Sequence, residues 1–547
     1  MNLIPHRDGL LSDPVLVVGA GPVGLVFACE MLTQGIPVRV IDRAPESTLH
    51  SRAIVVWPRS MELLRRIDAA RSLVDAGNRL DGVAFYSDKK LLGSIDMSRM
   101  KDTPYPFGLT ISQDRTEDVI RRRLLELGGQ VEHGVELVGL HNSTENRADR
   151  PVATLRHEDG RTEQVHAEYV LGADGARSAV RELLGIPFLG TGADVLFAIG
   201  DGPMQGEDLH TNMLLYCYTR TGALGFAPFG DGQFRLAVSV PGWDERQSPP
   251  RELFQRMMDE RAPRRGVLGE LRWTTVFRAR RRIAANFRAG RCFLAGDAAH
   301  IFSAAGAQGM NTGIQDAANL GWKLGGVIRG VVDERVLGSY DPERRHAAQR
   351  VSATTGRQTG WGLLHRRSHI AVRDNMVRLA RGTGVLQRLG APLMSQNDVN
   401  YSVNQGVAST PLADFAATLR GQVRVGDRFP VFASRTADGE TGDQWPRVRL
   451  DRYTVLMWAG DDRDTAWQRR VDQLRTVVAP SVAVVDVSGW PVLAGRLGSR
   501  PLAVVVRPDG HVAALDESAS PQTVGRALTE VGALVSDPES GVSEAVS

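Results

Sequence analysis

The chain has 547 residues, is 42% hydrophobic, and carries 66 basic against 63 acidic residues for a formal net charge of +3. A charge so near balance gives no electrostatic footprint for nucleic acid or an anionic membrane, and no run of about 18 uninterrupted apolar residues offers to span a bilayer. The length suits about three domains of roughly 100–200 residues each, enough to bury a large core.

Residues 1–13 lack the apolar segment of a signal peptide, which predicts a cytoplasmic protein with no membrane partner. Residues 14–18, Pro-Val-Leu-Val-Val, predict a short buried parallel strand, and 25–34 a helix. Between them stands Gly-Ala-Gly-Pro-Val-Gly. Gly19 permits a tight turn, Gly21 lets backbone approach a pyrophosphate, and Gly24 lets the helix pack closely on the strand. The free N–H groups and partial positive charge of that helix N-terminus suit phosphate. A second strand, 37–41, ends at Asp42, about 20 residues beyond the glycines, where a ribose hydroxyl needs an acceptor. Arg43 beside it is counted in the same cofactor-binding set.

A helix is predicted over 116–127 and strands through much of 131–185. From 193 to 282 the pattern changes to alternating strands, such as 214–219 and 234–240, which read as an antiparallel sheet. Such a sheet laid across a nucleotide domain makes a cleft, and Tyr216, Phe226 and Phe229 are candidate walls of an aromatic pocket. The arginine-rich run 278–282 reads as a solvated face. Farther on, Gly306, Gly309 and Gly313 make a loop able to bring N–H groups against a flat ligand, and 314–328 has helical apolar spacing. That helix would aim its N-terminal dipole at whatever sits on Met310 and Asn311. Residues 360–388 read as a further helix, and strands follow at 453–458, 482–487, 502–506 and 511–515. Cys29, Cys217 and Cys292 lie far apart in apolar segments, so neither a disulfide nor a metal site is expected.

Three segments in one order carry a resemblance: GAGPVG from Gly19, GADGARSAVR from Gly172, and GDAAH from Gly296 with the glycine loop behind it. Together they resemble the class A flavoprotein monooxygenases, the family of para-hydroxybenzoate hydroxylase, and within it the branch of polyketide and phenol hydroxylases. The likeness covers nearly the whole chain. It implies an α/β fold with a Rossmann-like FAD-binding domain in two parts, 1–192 and, with linking helices, 283–400. It also implies an inserted antiparallel-sheet substrate domain at 193–282 and a C-terminal thioredoxin-like domain at 401–547. The last contains no cysteine, so packing or dimerisation is its expected role.

The resemblance further implies that Asp174 lies near the FAD pyrophosphate and the path of the nicotinamide. In the same way Asp297 would bind the ribityl chain, Arg52 and Gln113 would contact the flavin, and Gly309, Met310 and Asn311 would meet the pyrimidine edge of the isoalloxazine. Donors aimed at that edge would favour the negative charge of reduced flavin. The implied activity is that of an FAD-dependent monooxygenase of secondary metabolism. NADPH or NADH, bound transiently because there is one glycine fingerprint, reduces the flavin, and one atom of O2 passes to an electron-rich aromatic small molecule. A monomer or homodimer is expected. His300 is read as a structural hydrogen-bonding residue, and no catalytic base is named.

One departure stands out. Family members commonly carry a proline pair between the histidine and the glycines, where this chain has Phe302-Ser303-Ala304-Ala305-Gly306. The backbone is freer there, and Ser303 adds a hydroxyl where an apolar wall is expected. Baeyer–Villiger insertion or another oxidative ring modification on the same FAD scaffold is therefore the alternative, with a non-catalytic flavin-binding protein as a third reading. The W-x-W-x-I-P signature of the flavin halogenases is absent.

Overall fold

The computed structural model describes residues 13–46, 53–142, 149–190, 192–206, 209, 212–230, 232–303, 305–402, 421–432, 434–435, 441–442, 451–461, 465–478 and 482–534. Its first apolar run, Val15–Val18, is buried throughout and lies inside a six-stranded sheet. The strand order is Arg288–Ala289, Cys292–Leu294, Val170–Gly172, Val15–Val18, Val38–Asp42, Val131–His133. All neighbours are parallel except the first pair, a short hairpin at the edge. A strand covered on both faces needs continuous apolar sequence, which is why Val15–Val18 reads as an apolar run and not as an alternating one.

The helix Pro22–Thr33 starts with proline at a position that needs no N–H donor. It packs against Gln113–Glu126 and against the long helix Gly309–Ile328, most of which is buried. The crossing with the long helix is close because small residues line it. A Cβ at Gly313 would come within 2.5 Å of Val23, one at Gly321 within 3.0 Å of Glu30, and one at Gly325 within 2.2 Å of Gln34. Three of the predicted helices and their strands therefore lie where the sequence places them, with bounds shifted by a few residues.

The second large sheet differs from expectation in two ways. Its eight strands include Gly82–Ser87 and Lys90–Asp96, which come from well before residue 193. The strand Met213–Thr219 pairs with Gly82–Ser87 in parallel, so the sheet is mixed and not purely antiparallel. The remaining neighbours, including Gly192–Gln205 with Gln233–Ser239 and with Trp273–Arg280, are antiparallel. One face packs on the helix Arg251–Arg261. The other faces Trp57, Ala307 and the helix Val385–Ser395. The single helix expected over 360–388 is instead the end of Tyr340–Gly362 and two further helices, Arg367–Gly382 and Val385–Ser395. The break between the latter two falls at Gly384, whose φ of 73° is a left-handed conformation that glycine adopts without strain.

The C-terminal unit has a four-stranded sheet ordered Ala483–Asp486, Thr454–Trp458, Leu502–Val506, Val512–Asp516, with one parallel and two antiparallel junctions. Helices Thr465–Val478 and Pro521–Glu530 share its core. Among the described residues, no helix is long and apolar enough to cross a membrane.

Buried charge fastens this unit to the helices packed around the six-stranded sheet. Arg507 bonds Glu343 at 2.7 Å and Asp509 at 2.5 Å, while Lys323 bonds Glu343 at 2.8 Å. Arg428 bonds Glu62 at 2.5 Å, and Arg59 donates to the Asp509 carbonyl at 2.6 Å. Burial alone would raise the Glu343 carboxyl, but the facing Arg507 and Lys323 outweigh it and bring the value to about 2 from an ordinary 4.5. The folded value lies below the unfolded one, so Glu343 stabilises fully above pH 4.5 and its contribution is lost as pH falls toward 2. Replacing it by glutamine leaves two buried cations short of a counter-charge. Glu343→Gln should therefore cost about 3–5 kcal/mol at neutral pH, and the gap to wild type should narrow below about pH 4. Denaturant unfolding of both proteins at neutral and acid pH checks this; a gap that does not change with pH would rule out the ionic account.

Candidate active site

The functional residues gather at the carboxyl ends of the parallel strands, where open α/β sheets bind ligands. Gly19 has a φ of 104°, and a Cβ there would lie 2.5 Å from the Ala173 carbonyl oxygen. At Gly24 a Cβ would come 2.0 Å from the Gly19 oxygen. These two glycines serve the chain's own packing. Gly21 is different: a Cβ there meets nothing within 4 Å, so it borders open space at the helix N-terminus. The first intrahelical bond runs from the Leu25 N–H to the Gly21 oxygen, which leaves the N–H groups of Val23 and Gly24 outside the helical ladder.

Asp42 braces this turn. Its Oδ2 accepts from the Ala20 N–H and its Oδ1 from the Ala44 N–H, both at 2.8 Å. Each carboxylate oxygen keeps a second lone pair for a ribose hydroxyl. Arg43 is exposed beside it. Asp174 abuts Gly19 and accepts from the Val180 N–H at 3.2 Å through Oδ2, whereas its Oδ1 is buried without a hydrogen-bond partner. Burial raises this carboxyl above the ordinary aspartate range. Asp297 is exposed between buried Gly296 and Ala298. Gly313 brings the long helix against Gly296, with a Cβ there only 3.1 Å from the Gly296 Cα. The helix N-terminus thus sits next to the Asp297 turn, and Gly309 at its start also borders open space.

Two of the expected flavin contacts are committed elsewhere in this structure. The Gln113 amide accepts from the Ala53 N–H at 3.3 Å and donates to Glu117 at 2.9 Å, where burial lifts the Glu117 carboxyl to about 7. The Asn311 side chain accepts from the Trp57 N–H at 2.8 Å and donates to the carbonyls of Val55 and Ala307 at 2.8 and 2.9 Å. What Asn311, Met310 and Gly309 offer to a ligand is therefore backbone N–H, since the ladder begins only with the Thr312 N–H bonded to the Gln308 oxygen. Arg52 lies outside the described residues.

These residues fit FAD. Open space over Gly21 and Gly309, N–H donors at two helix starts, the unpartnered Asp174 oxygen and the exposed Asp297 match its phosphates, hydroxyls and pyrimidine carbonyls in kind.

His300 is fully buried, and its Nε2 pairs with Asp316 Oδ2 at 2.6 Å. The same carboxylate accepts from the Gly296 N–H at 3.0 Å and from Arg344 Nε at 2.6 Å. Burial would raise the Asp316 carboxyl, but His300 and Arg344 outweigh it and hold it below the ordinary range. His300 is thus a structural tie, as its motif suggests. Ser303 is also accounted for: buried, it shares a hydrogen bond with Thr359 at 2.8 Å.

Of the three candidate pocket walls, Tyr216 lies on the face of the mixed sheet that packs on Trp57 and Ala307. It stacks at 5.8 Å on Phe85 and at 6.5 Å on Tyr218. Phe226 is a correction. It pairs with Leu215, one residue out of phase with Tyr216, and so points to the opposite face, where it is 3% exposed and packs with Phe254 and Met257. Phe229 opens the turn after its strand, half-buried. Phe85 and Trp57 were missed. The apolar and aromatic run Val83-Ala84-Phe85-Tyr86, bounded by Asp81-Gly82 and Ser87-Asp88, is a strand signal that would have brought Phe85 into the sheet.

A family described as an FAD binding domain matches residues 13–355. The chain is 32% identical to 6-methylpretetramide 4-monooxygenase of Streptomyces rimosus, covering 99% of this chain and 97% of that one. It is 31% identical to rifampicin monooxygenase of Streptomyces venezuelae, covering 91% and 94%. Among solved structures, the anhydrotetracycline hydroxylase of Streptomyces rimosus superposes with a TM-score of 0.71 at 28% identity, covering 95% of this chain and 98% of that one. With the family match spanning more than half of the chain and the relatives aligned almost end to end, the chain belongs to the FAD-dependent aromatic hydroxylases and is a flavin monooxygenase.

Proposed function

We propose that this enzyme hydroxylates a multi-ring phenolic compound of polyketide type, with NADPH or NADH as transient electron donor. The observation that carries the substrate class is the stacked ladder of Phe85, Tyr216 and Tyr218, which faces the Gly306 loop and suits a flat, extended ring system. The printed activities of the relatives, on a pretetramide, a rifampicin and an anhydrotetracycline, support the same class. When bound, FAD supplies the redox and oxygen chemistry. The chain's residues then divide the remaining work. Val23 and Gly24 N–H groups face the pyrophosphate past Gly21, Asp42 accepts from the ribose, Asp297 from the ribityl chain, and the N–H groups of Gly309–Asn311 meet the pyrimidine edge. Asp174 would lie by the pyrophosphate and Arg43 near the adenosine end, while contacts of Gln113 and Arg52 with the ring rest on the family resemblance alone.

The sheet tyrosines are not bases at neutral pH. Burial pushes Tyr216 up to about 12 and raises Tyr218 as well, so both stay protonated. The Ser303 hydroxyl is tied to Thr359 and adds no free polar group to the cleft, so hydroxylation remains preferred over Baeyer–Villiger insertion. We read the C-terminal unit as a thioredoxin-like packing module, with 1–192 and 283–400 as the FAD-binding parts and 193–282 as the substrate sheet extended by 82–96. The enzyme would work in the cytoplasm as a monomer or homodimer.

Two measurements test this. Gly21→Val should fold, since its Cβ has room, yet lose at least about tenfold in FAD affinity, whereas Gly24→Val should disrupt folding through the Gly19 contact. Asp297→Ala should retain less FAD than wild type. Flavin absorbance and thermal melts of the purified variants decide it; undiminished flavin in Gly21→Val would remove the seat from that loop. Second, anhydrotetracycline and simple phenols should be compared as stimulants of NAD(P)H oxidation. Greater stimulation by the multi-ring compound, with a product that gains one oxygen as a new ring hydroxyl, is expected; a ring-expanded lactone of the same mass would instead support insertion.

A further inference from the structure

The loop leading into the long helix is strained and held from several sides. Gly306 and Ala307 are consecutive left-handed residues, with φ of 84° and 52°. For alanine, which has no polar side chain to offset it, that conformation is strained. There is no proline from His300 to Gly321 to fix the backbone covalently. The surrounding structure fixes it by hydrogen bonds. The Gly306 N–H donates to the Tyr216 hydroxyl at 3.0 Å. The Gly306 carbonyl accepts from Trp57 Nε1 and from Gln308 Nε2, each at 3.0 Å. The Ala307 carbonyl accepts from Asn311 Nδ2 at 2.9 Å, and the Gln308 carbonyl from Thr312, through N–H and hydroxyl, at 2.9 Å. Trp57 is fully buried and Gln308 nearly so.

Every carbonyl of 306–308 is thus engaged by protein, and the N–H groups of Gly309–Asn311 are left pointing out of the helix start. Strain of this kind persists only where neighbours over-determine it. The tie from Tyr216 comes from the mixed sheet, that from Trp57 from the segment before the helix Pro58–Leu64, and that from Gln308 from the loop itself. A small rotation of the Gly306 peptide would re-aim the whole first turn.

We propose that Tyr216, with Trp57 and Gln308, is a positioning clamp on the Gly306 peptide that aligns the first-turn N–H groups of the long helix with the pyrimidine edge of the flavin. This rests on the FAD placement proposed above. Tyr216 is a positioning residue: its hydroxyl acts through the loop, and its ring remains in the aromatic ladder. Because the aligned N–H groups stabilise negative charge on that edge, loosening the clamp weakens every reaction that places charge there.

Sulfite reads this directly and needs no organic substrate. It adds through sulfur to N5 of oxidised flavin, its electron pair forms the new bond, and the resulting negative charge falls on the pyrimidine edge while the visible band bleaches. Sodium sulfite titration of FAD-loaded wild type, Tyr216→Phe, Trp57→Phe and the double variant should show about tenfold weaker sulfite binding in each single variant, with FAD content unchanged. The double variant should bind sulfite no more weakly than about either single variant, since both act on one peptide. A purely structural role would lower melting temperature and leave sulfite affinity alone. Affinities within about twofold of wild type in both single variants would overturn the clamp. Should Tyr216→Phe fail to fold, Trp57→Phe and Gln308→Leu carry the same test. Wild type that binds no FAD would overturn the flavin placement itself, and with it this inference, and is told apart by its absent visible band.

Discussion

The close crossing of Pro22–Thr33 with Gly309–Ile328 is the constraint on which the site depends. Both helices begin at the same edge of the parallel sheet, and both present unpaired N–H groups there. Their approach is possible because Gly313, Gly321 and Gly325 recur at helical spacing on the contact face, where side chains would strike Val23, Glu30 and Gln34. Any bulk in that row would pull the second N-terminus away from the first. The distance between the two helix N-termini is thus fixed by glycines farther along the contact face.

Around that crossing the protein spends buried charge as fasteners. Asp316 on the long helix gathers His300, Arg344 and the Gly296 N–H, and so locks the Asp297 turn to the helix that Gly313 brings alongside. Farther along the same helix, Lys323 joins Glu343 and Arg507, which reach into the C-terminal unit. Such groups destabilise strongly if one partner is lost but offer little over apolar packing when complete, so their value lies in geometry. The C-terminal unit is therefore wired to the long helix Gly309–Ile328 through ion pairs that tolerate little slippage.

The parts legible in the sequence were those whose cause is local. The Gly19–Gly24 turn, the strand ending at Asp42 and the glycine loop before the long helix each follow from residues within about 20 positions of one another. What was not legible depends on contacts remote in sequence. Arg59 bonds a carbonyl 450 positions away, and nothing in the neighbourhood of either residue announces it. The parallel union of Gly82–Ser87 with Met213–Thr219 likewise joins segments that read as separate domains. Phe226 shows a subtler limit. Its region reads as an antiparallel sheet, but a side chain's face depends on register, and a one-residue phase difference from Tyr216 sends it into the opposite core.

The departure at Ser303 and Ala304 follows the same logic of remote support. Without proline, the loop's conformation has to be held by partners, and the structure provides them from the mixed sheet, from Trp57 and from the helix Tyr340–Gly362 through Thr359. Covalent rigidity at one point is exchanged for hydrogen bonds that link the substrate sheet to the helix start. A loop fixed by proline would hold its shape whatever lay in the cleft. A loop fixed by Tyr216 shares a residue with the aromatic ladder, so a ring system stacked there bears on the same side chain that orients the Gly306 peptide. Tyr216 thus belongs at once to the aromatic row of the mixed sheet and to the support of the Gly306 peptide.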